Sequence, residues 1–445
     1  MGNVKSTLKK PPRLKTEWWQ GHKQHEDETD SGTSSTEGVE QRKGKKSTAG
    51  LDTIEENPPL SPWQLEVSRD SEEEIGRSRK ASSEYSDHGS QYEEIRFKWV
   101  DGRRFHDDKE VHYLLPNDYE ELDRLIMRHY GFRSLHAGYN FLAPVKDTLV
   151  NGAMVLDAGC GPGTWTMDMA TDFPKSHFIG IDVSPVFPHQ IVPGNCRFQL
   201  ANLIKGLPFA DETFDYVFQR CVHFGLVKSE WPGVIQELLR VLKPGGYLEI
   251  VEADYDLKRG GVAFRKISRG LVNSMRAREI EPSWARDIRS HFDQLGLEDV
   301  QSLTMPFPLG KFAGRIGELG RDNWVQLFRS LRPYLSQVMN ISTEEYDEAE
   351  PDMQRDMESH RVYIDIVSTY ARKPLPQGLK LQLAMDAREA ELAGDEDIGI
   401  ACIETRVKRL PANAPSPQER EDLMSRLREL KDMLRLEGEA QEPYH

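Results

Sequence analysis

The sequence predicts a doubly wound α/β fold built on a mainly parallel sheet, and three observations carry that prediction. From residue 153 onward, short apolar runs alternate with amphipathic stretches. The first run leads straight into a turn with glycine at alternate positions, Gly159, Gly161 and Gly163. The second run ends in a carboxylate, Asp182. Such alternation sets strands side by side in parallel, with helices as crossovers on both faces.

Length and composition divide the chain. Its 445 residues exceed one ordinary domain, yet only 38% are hydrophobic, so part of the chain must be unpacked. Residues 1–95 are rich in Ser, Thr, Glu, Lys and Gly without apolar periodicity, and read as a disordered tail. A helical lead-in over 96–152 follows, then the α/β domain over 153–374 with a helical insertion at about 257–360. A charged helical tail spans 375–445. The net charge of −15 argues against a nucleic-acid partner. Cys160, Cys196, Cys221 and Cys402 form no C-x-x-C pair and no Cys/His spacing for a metal, which suits a reducing compartment without a zinc site. No apolar run is long enough to span a bilayer, and the charged amino terminus lacks a signal core.

Each element has its own local cause. Tyr119–His129 reads as a helix capped by Asn117 or Asp118, with Glu120 and Glu121 in its first turn and Leu122, Leu125, Ile126 and His129 on one face. Met154–Leu156, Phe178–Ile181, Phe198–Leu200, Tyr216–Phe218 and Tyr247–Val251 read as five strands. Thr164–Asp172 and Trp231–Leu242 read as helices between them. Lys243-Pro-Gly-Gly246 reads as a stop and turn before the fifth strand. Beyond Asp256 the pattern is helical around Trp284, Ile288, Phe292 and Leu295. Val300–Met305 is strand-like, and Val362–Tyr370 is a last strand or a helix end. Leu423, Leu427, Leu430 and Leu434 form a stripe expected to dock on the chain's own domain rather than to dimerise.

The chemistry concentrates in Asp157-Ala-Gly-Cys-Gly-Pro-Gly163. Alternate glycines let the backbone turn sharply and approach a ligand closely, and the helix start beyond offers free amide hydrogens. A dinucleotide fingerprint is not met, because Thr164 and Thr166 stand where its third glycine would be. A P-loop is excluded because no Gly-Lys-Ser/Thr closes the run. Asp182 suits a pair of ribose hydroxyls, and the amide of Asn202 in the turn after the third strand suits an adenine edge. The bland alternative is another nucleotide-binding doubly wound domain.

With these elements in order, the sequence resembles the class I methyltransferases, and more narrowly the fungal LaeA-like group. The narrower resemblance rests on Leu115-Pro-Asn-Asp118, Trp165, Ile181-Asp-Val-Ser-Pro185, Val192-Pro-Gly-Asn-Cys196 and the Lys243–Gly246 turn, over roughly residues 110–374. It implies a Rossmann-like, seven-stranded sheet and S-adenosyl-L-methionine as cofactor. Asp157, Gly159, Gly161 and Gly163 would then hold the methionine part of the cofactor, with Ala158 also among the cofactor-binding residues, and Asp182 the ribose. Val183 would touch the adenine face, Asn202 and Leu203 would flank the ring, and Gln219 would sit below the sulfonium. Asn202 departs from the family, which often carries Asp there; an amide keeps an acceptor, so altered affinity is expected rather than lost binding.

Alignment of the acceptor supplies much of the rate in methyl transfer, and a base is needed only if the nucleophile holds a proton. Among Arg220, His223, Glu252, Asp254 and Tyr255 near the strand ends, His223 and Glu252 are the better base candidates, and no catalytic residue is assigned. The acceptor is expected to be a small molecule or a protein side chain, reached beneath the lead-in and the insertion. The rival is a regulatory subunit acting through protein partners. Met1-Gly-Asn-Val-Lys-Ser6 fits the pattern for myristoylation of Gly2, with basic residues behind it, so a weak membrane association is set beside a chance match. The expected localisation is cytoplasmic, nuclear or both, with a peripheral membrane pool if Gly2 is acylated.

Overall fold

The computed structural model describes residues 96–380, apart from 108–110, 189, 258 and 379, together with residues 417–434. The expected disordered tail over 1–95, Gly2 with its basic neighbours, and Cys402 lie outside the described residues.

The lead-in opens with a β-hairpin where helix was expected. Strands β1 (Phe97–Val100) and β2 (Arg103–His106) pair antiparallel. Asp101 and Gly102 turn between them at φ 51° and 73°, the two-residue turn whose twist matches that of the flanking strands. Helix α1 (Tyr119–Leu135) follows, and of the two candidate caps Asp118 does the work. Its Oδ1 accepts the Glu121 N–H at 3.1 Å. The same carboxylate takes two bonds from Arg103, each 2.7 Å, which ties the hairpin to the helix start. The expected apolar face is corrected at Ile126, which is exposed. The helix instead buries a polar stripe of Glu121, Arg124 and His129, together with Phe132 and Leu135.

After the short α2 (Lys146–Asn151), the five expected strands form as β3 (Met154–Ala158), β4 (His177–Asp182), β5 (Cys196–Leu200), β6 (Phe214–Arg220) and β7 (Leu242–Asp254). Helices α3 (Thr164–Asp172) and α4 (Trp231–Val241) cross between them. The chain then runs through α5 (Val262–Arg276), α6 (Ile288–Gln294), β8 (Glu298–Pro308), α7 (Gly314–Met339), α8 (Thr343–Ser359) and β9 (Tyr363–Arg372). The sheet order is β5-β4-β3-β6-β7-β9-β8, with β3 to β7 parallel and β9 antiparallel to both neighbours. Val362–Tyr370 therefore resolves into a strand.

Because α3 leads from β3 to one side and α4 leads from β6 to the other, right-handed crossovers put the two helices on opposite faces. The order reverses between β3 and β6, where a ligand crevice opens beyond the strands' carboxyl ends. The expected insertion over 257–360 is thus divided by β8, a strand of the main sheet. The Lys243–Gly246 turn is corrected too. Leu242 already pairs with Phe214, and the next residue pair is Tyr216 with Tyr247, so these four residues bulge out within β7. Backbone bonds from Gly245 to Lys373 (2.8 Å) and from Lys373 to Gly246 (2.9 Å) hold the bulge.

The core joins aromatic packing to one buried acid. Trp165 stacks on Phe218 with ring centroids 4.0 Å apart. The Glu249 carboxylate accepts the Leu142 and Ala143 N–H groups and the Tyr216 hydroxyl, anchoring the segment before α2 to the sheet. Helix α9 (Pro417–Leu434) lays its leucine stripe on the domain as expected, with Leu423, Leu427, Leu430 and Leu434 buried. Tyr139 Oη donates to Asp422 at 2.9 Å and fixes the helix laterally. Leu430→Ala should therefore cost about 2–4 kcal/mol, read as a lowered midpoint in urea with the solution mass unchanged. A change in mass with unaltered unfolding would assign the stripe to self-association instead.

Candidate functional site

The glycine loop is shaped by contacts that leave room for nothing larger. Gly159, Gly161 and Gly163 have φ of 79°, 54° and 71°. A Cβ on Gly159 would lie 2.3 Å from Val222 Cγ1, and one on Gly163 would lie 2.4 Å from the Phe198 ring. Gly161 differs, because its nearest neighbour would be Leu125 at 3.5 Å, so its open side faces space rather than packing. Asp182 holds that loop in place. One carboxylate oxygen accepts the Gly161 N–H at 2.8 Å and the other the Ser184 N–H at 2.9 Å. Asp157 sits deeper, bonded to the Thr166 hydroxyl at 2.6 Å. Burial raises its pKa to about 6, against the lowering effect of Thr166 and Arg220.

Two cavities meet at this loop. The larger, about 870 Å³ and partly open to solvent, runs from Asn202 and Asp182 past Gly159 and Gly161 to Cys221 and Leu226. Its roof is the lead-in, with Tyr113, Leu122, Leu125 and Arg128 facing it. The smaller, about 360 Å³, lies between Asp157, the glycine loop, Arg128 and Arg220. Of the residues expected at a cofactor, Asp157, Gly159, Gly161, Asp182, Val183, Asn202 and Leu203 line these cavities. Ala158, Gly163 and Gln219 do not. Ala158 is buried in the sheet, Gly163 faces Phe198, and the Gln219 amide lies fully buried beside Glu252. Asn202 Oδ1 accepts the Ile204 N–H at 3.1 Å. That bond fixes the amide's orientation and leaves its NH₂ group as donor.

The floor is strained and the base candidates are withdrawn from it. Cys221 takes φ 56°, a sparsely populated conformation for a residue with a side chain, at the point where β6 enters the cleft. His223 is fully buried and donates from Nε2 to the Glu281 carbonyl at 2.6 Å, and burial lowers its pKa to about 4. Neither it nor Glu252 lines either cavity. Residues 257–360 contribute nothing to the lining of the larger cleft, so the expected lid is the lead-in and not the insertion.

The sequence reading missed Arg128 as a site residue and named Arg220 only among the groups near the strand ends. Arg220 Nη2 bonds His129 Nδ1 at 3.0 Å, and His129 Nε2 lies 2.9 Å from Asp168. Arg220 can only donate, so Nδ1 accepts and the ring proton sits on Nε2 toward Asp168; burial lowers the His129 pKa. Arg220 thus has a neutral partner, and Arg128 makes no hydrogen bond or ion pair with a described residue. Burial, reinforced by the charge of Arg128, holds the Arg220 pKa below its ordinary value. Two arginines without carboxylate partners at one small cavity make it electropositive. Arg128 lies on α1 and Arg220 at the end of β6, so no local sequence pattern pairs them. Among the described residues, no three His, Cys, Asp or Glu side chains group as a metal site.

A seven-stranded sheet in this order, with a glycine loop after the first parallel strand and a carboxylate after the second, is the arrangement expected from the resemblance to class I methyltransferases. The methyltransferase domain family accordingly matches residues 155–246. The chain is 33% identical over 159 residues to methyltransferase pytC of Aspergillus terreus, covering 36% of this chain and 47% of the relative. It is 28% identical over 237 residues to the secondary metabolism regulator laeA of Aspergillus flavus, covering 50% and 60%. The chain spans about half the length of the curated relatives it matches. Among solved structures it is similar to Haemonchus contortus phosphoethanolamine N-methyltransferase 2 in complex with S-adenosyl-L-methionine. The identity there is 18% and the TM-score 0.34, over 55% of this chain and 56% of that one.

The Glu252 carboxyl offers a test of the floor. Burial raises its pKa from 4.5 to about 8, while its Oε1 accepts the Val222 N–H at 2.8 Å. Folding opposes its ionisation, so the cost is absent below about pH 4.5, grows as pH rises, and is complete above about 8. Glu252→Gln keeps the acceptor for Val222. It should raise Tm by ~3–6 °C above pH 8 and leave it unchanged near pH 4. A pH-independent difference would show that this carboxyl does not titrate in the fold.

Proposed function

We propose that this chain is an S-adenosylmethionine-dependent methyltransferase acting on an acceptor that enters the cleft beneath the lead-in. The observation that carries the reading is the glycine loop bonded to Asp182 and opening, on the bare side of Gly161, into a roofed cleft. The residues present fit the cofactor. Asp182 retains lone pairs for ribose hydroxyls beyond its two backbone bonds, and the Asn202 NH₂ suits a ring nitrogen of adenine. Arg128 and Arg220 suit a carboxylate at the far end. When bound, the cofactor supplies a methyl group already activated on a sulfonium, so the protein's part is alignment and exclusion of water.

The roof favours a small molecule, or a side chain long enough to reach inside, over a flat protein surface. His223 and Glu252 lie behind the cleft wall, so neither is the base for an acceptor that holds a proton. The second reading is a regulatory role through protein partners, favoured by the relatives named as secondary metabolism regulators. The intact loop and Asp182 support cofactor binding under either reading. We place the protein in the cytoplasm, the nucleus or both, with a membrane pool if Gly2 carries an acyl chain.

Calorimetric titration should show S-adenosylmethionine binding to the wild type and loss of binding in Asp182→Ala. No binding to the folded wild type would end the enzymatic reading. A second titration separates the arginines from the nucleoside site, using S-adenosylhomocysteine and 5′-methylthioadenosine, which lacks the amino-acid end. Arg128→Gln should weaken the former about tenfold or more and leave the latter unchanged. Equal weakening of both would remove Arg128 from the carboxylate.

A further inference from the structure

Away from the cleft, α5 presents a second charged surface. The helix buries Phe264, Ile267, Leu271 and Met275 on one side. On the other, Arg265, Arg269 and Arg276 are exposed at intervals of four and seven, which aligns them on one face. Together with Arg259 and Tyr255 they line a groove of about 870 Å³, partly open to solvent. Asp256 is the groove's one carboxylate among the described lining residues, and it is engaged by Arg286 at 3.0 Å. The Arg269 and Arg276 side chains make no hydrogen bond or ion pair with a described residue. In a chain of net charge −15, four arginines along one groove form a local inversion of sign.

The groove's rim meets α9. Arg259 Nη1 donates to the Leu434 carbonyl at 2.8 Å while its guanidinium lies 5.5 Å from the centre of the Tyr363 ring. The last described residue of α9 therefore ends at a groove residue. After Arg435 the sequence continues with Glu437, Glu439 and Glu442. From Arg265 to Arg276 the helix advances about 16 Å. The residues from Leu434 to Glu442, if extended, reach about 26 Å. The acidic side chains thus have length enough to pass along the arginine row, and tethering at the rim gives them a high effective concentration there.

We propose that the arginine groove on α5 is the docking site of this chain's own acidic segment, residues 435–445. Glu437 and Glu439, two apart, point to the same side of an extended segment and face the arginine row. Tyr255, which lines the groove, packs on Phe224 with ring centroids 4.9 Å apart, and Gly225 and Leu226, next to Phe224 in the chain, line the cleft. The docked segment lies one packed layer from the candidate active site and braces its floor.

Hydrogen exchange of residues 435–445 in the full chain tests this. At low salt the wild type should exchange there about tenfold or more slowly than a free chain, and about 0.5 M salt should remove most of that protection. Arg269→Glu with Arg276→Glu changes exposed positions only and should abolish the protection. Adding Glu437→Arg and Glu439→Arg to that variant should restore it by reversing both signs. Exchange at the free-chain rate in the wild type overturns the proposal, as does protection that charge reversal leaves untouched. Protection that grows with protein concentration assigns the groove to a second copy and overturns it as well. So does a groove that binds an added glutamate-rich peptide while the chain's own segment stays unprotected.

Discussion

The buried Glu121–Arg124 pair fixes the helix that roofs the cleft. Arg124 takes two bonds from its guanidinium to Glu121, 2.8 and 2.5 Å, and a third to Asn323 Oδ1 at 3.1 Å. Asn323 returns one bond to the Arg124 carbonyl at 2.8 Å. Asn323 belongs to α7, so the network locks the lead-in helix against the helices that follow β8. Breaking one partner of such a buried pair leaves an uncompensated charge, typically at 3–5 kcal/mol. Because α1 roofs the cavity, its position sets the cleft's height, and the polar network gives that position a single register.

Below the roof, close approach replaces charge as the controlling factor. Val222 presses on the bare face of Gly159, and Phe198 on that of Gly163. The left-handed Cys221 is what delivers Val222 to that spot, with its own N–H bonded to the Val251 carbonyl at 2.9 Å and that of Val222 bonded to Glu252. Strain in β6 and the lack of side chains in the loop are two halves of one fit. Gly161 alone of the three keeps its open side toward the cavity, which makes it the position where a ligand and the backbone would meet.

The distribution of buried acids follows the same economy. Glu249 is pushed up to about 7 by burial but is surrounded by two backbone N–H groups and the Tyr216 hydroxyl, so its oxygens are satisfied. Glu252 has one oxygen without a partner. The arginines at the small cavity show the opposite imbalance, since Arg128 and Arg220 lack carboxylate partners where the cofactor's amino-acid end would lie. Arg103, by contrast, is paired with Asp118, and two arginines without such partners at a cavity suit an anionic ligand.

Much of this was legible in the chain. Five strands, α3 and α4 emerge from local apolar runs and from glycine and proline punctuation, because period and turn chemistry are local properties. The glycine loop with Asp182 was readable because a tight turn and a strand-end carboxylate need particular residue types at particular positions. Other features were not readable. The hairpin at Asp101-Gly102 was passed over for want of long apolar flanks. Lys243–Gly246 looked like a turn, because only the pairing of Leu242 with Phe214 shows that the strand had already begun. The sequence by itself determined the order of elements and the loop that would meet a cofactor. Only the tertiary structure decided that the lead-in rather than the insertion is the roof, that a polar network locks α1 to α7, and that Arg128 and Arg220 share a cavity. Those facts rest on contacts between residues far apart in the chain, and no local pattern records which buried polar groups will find one another.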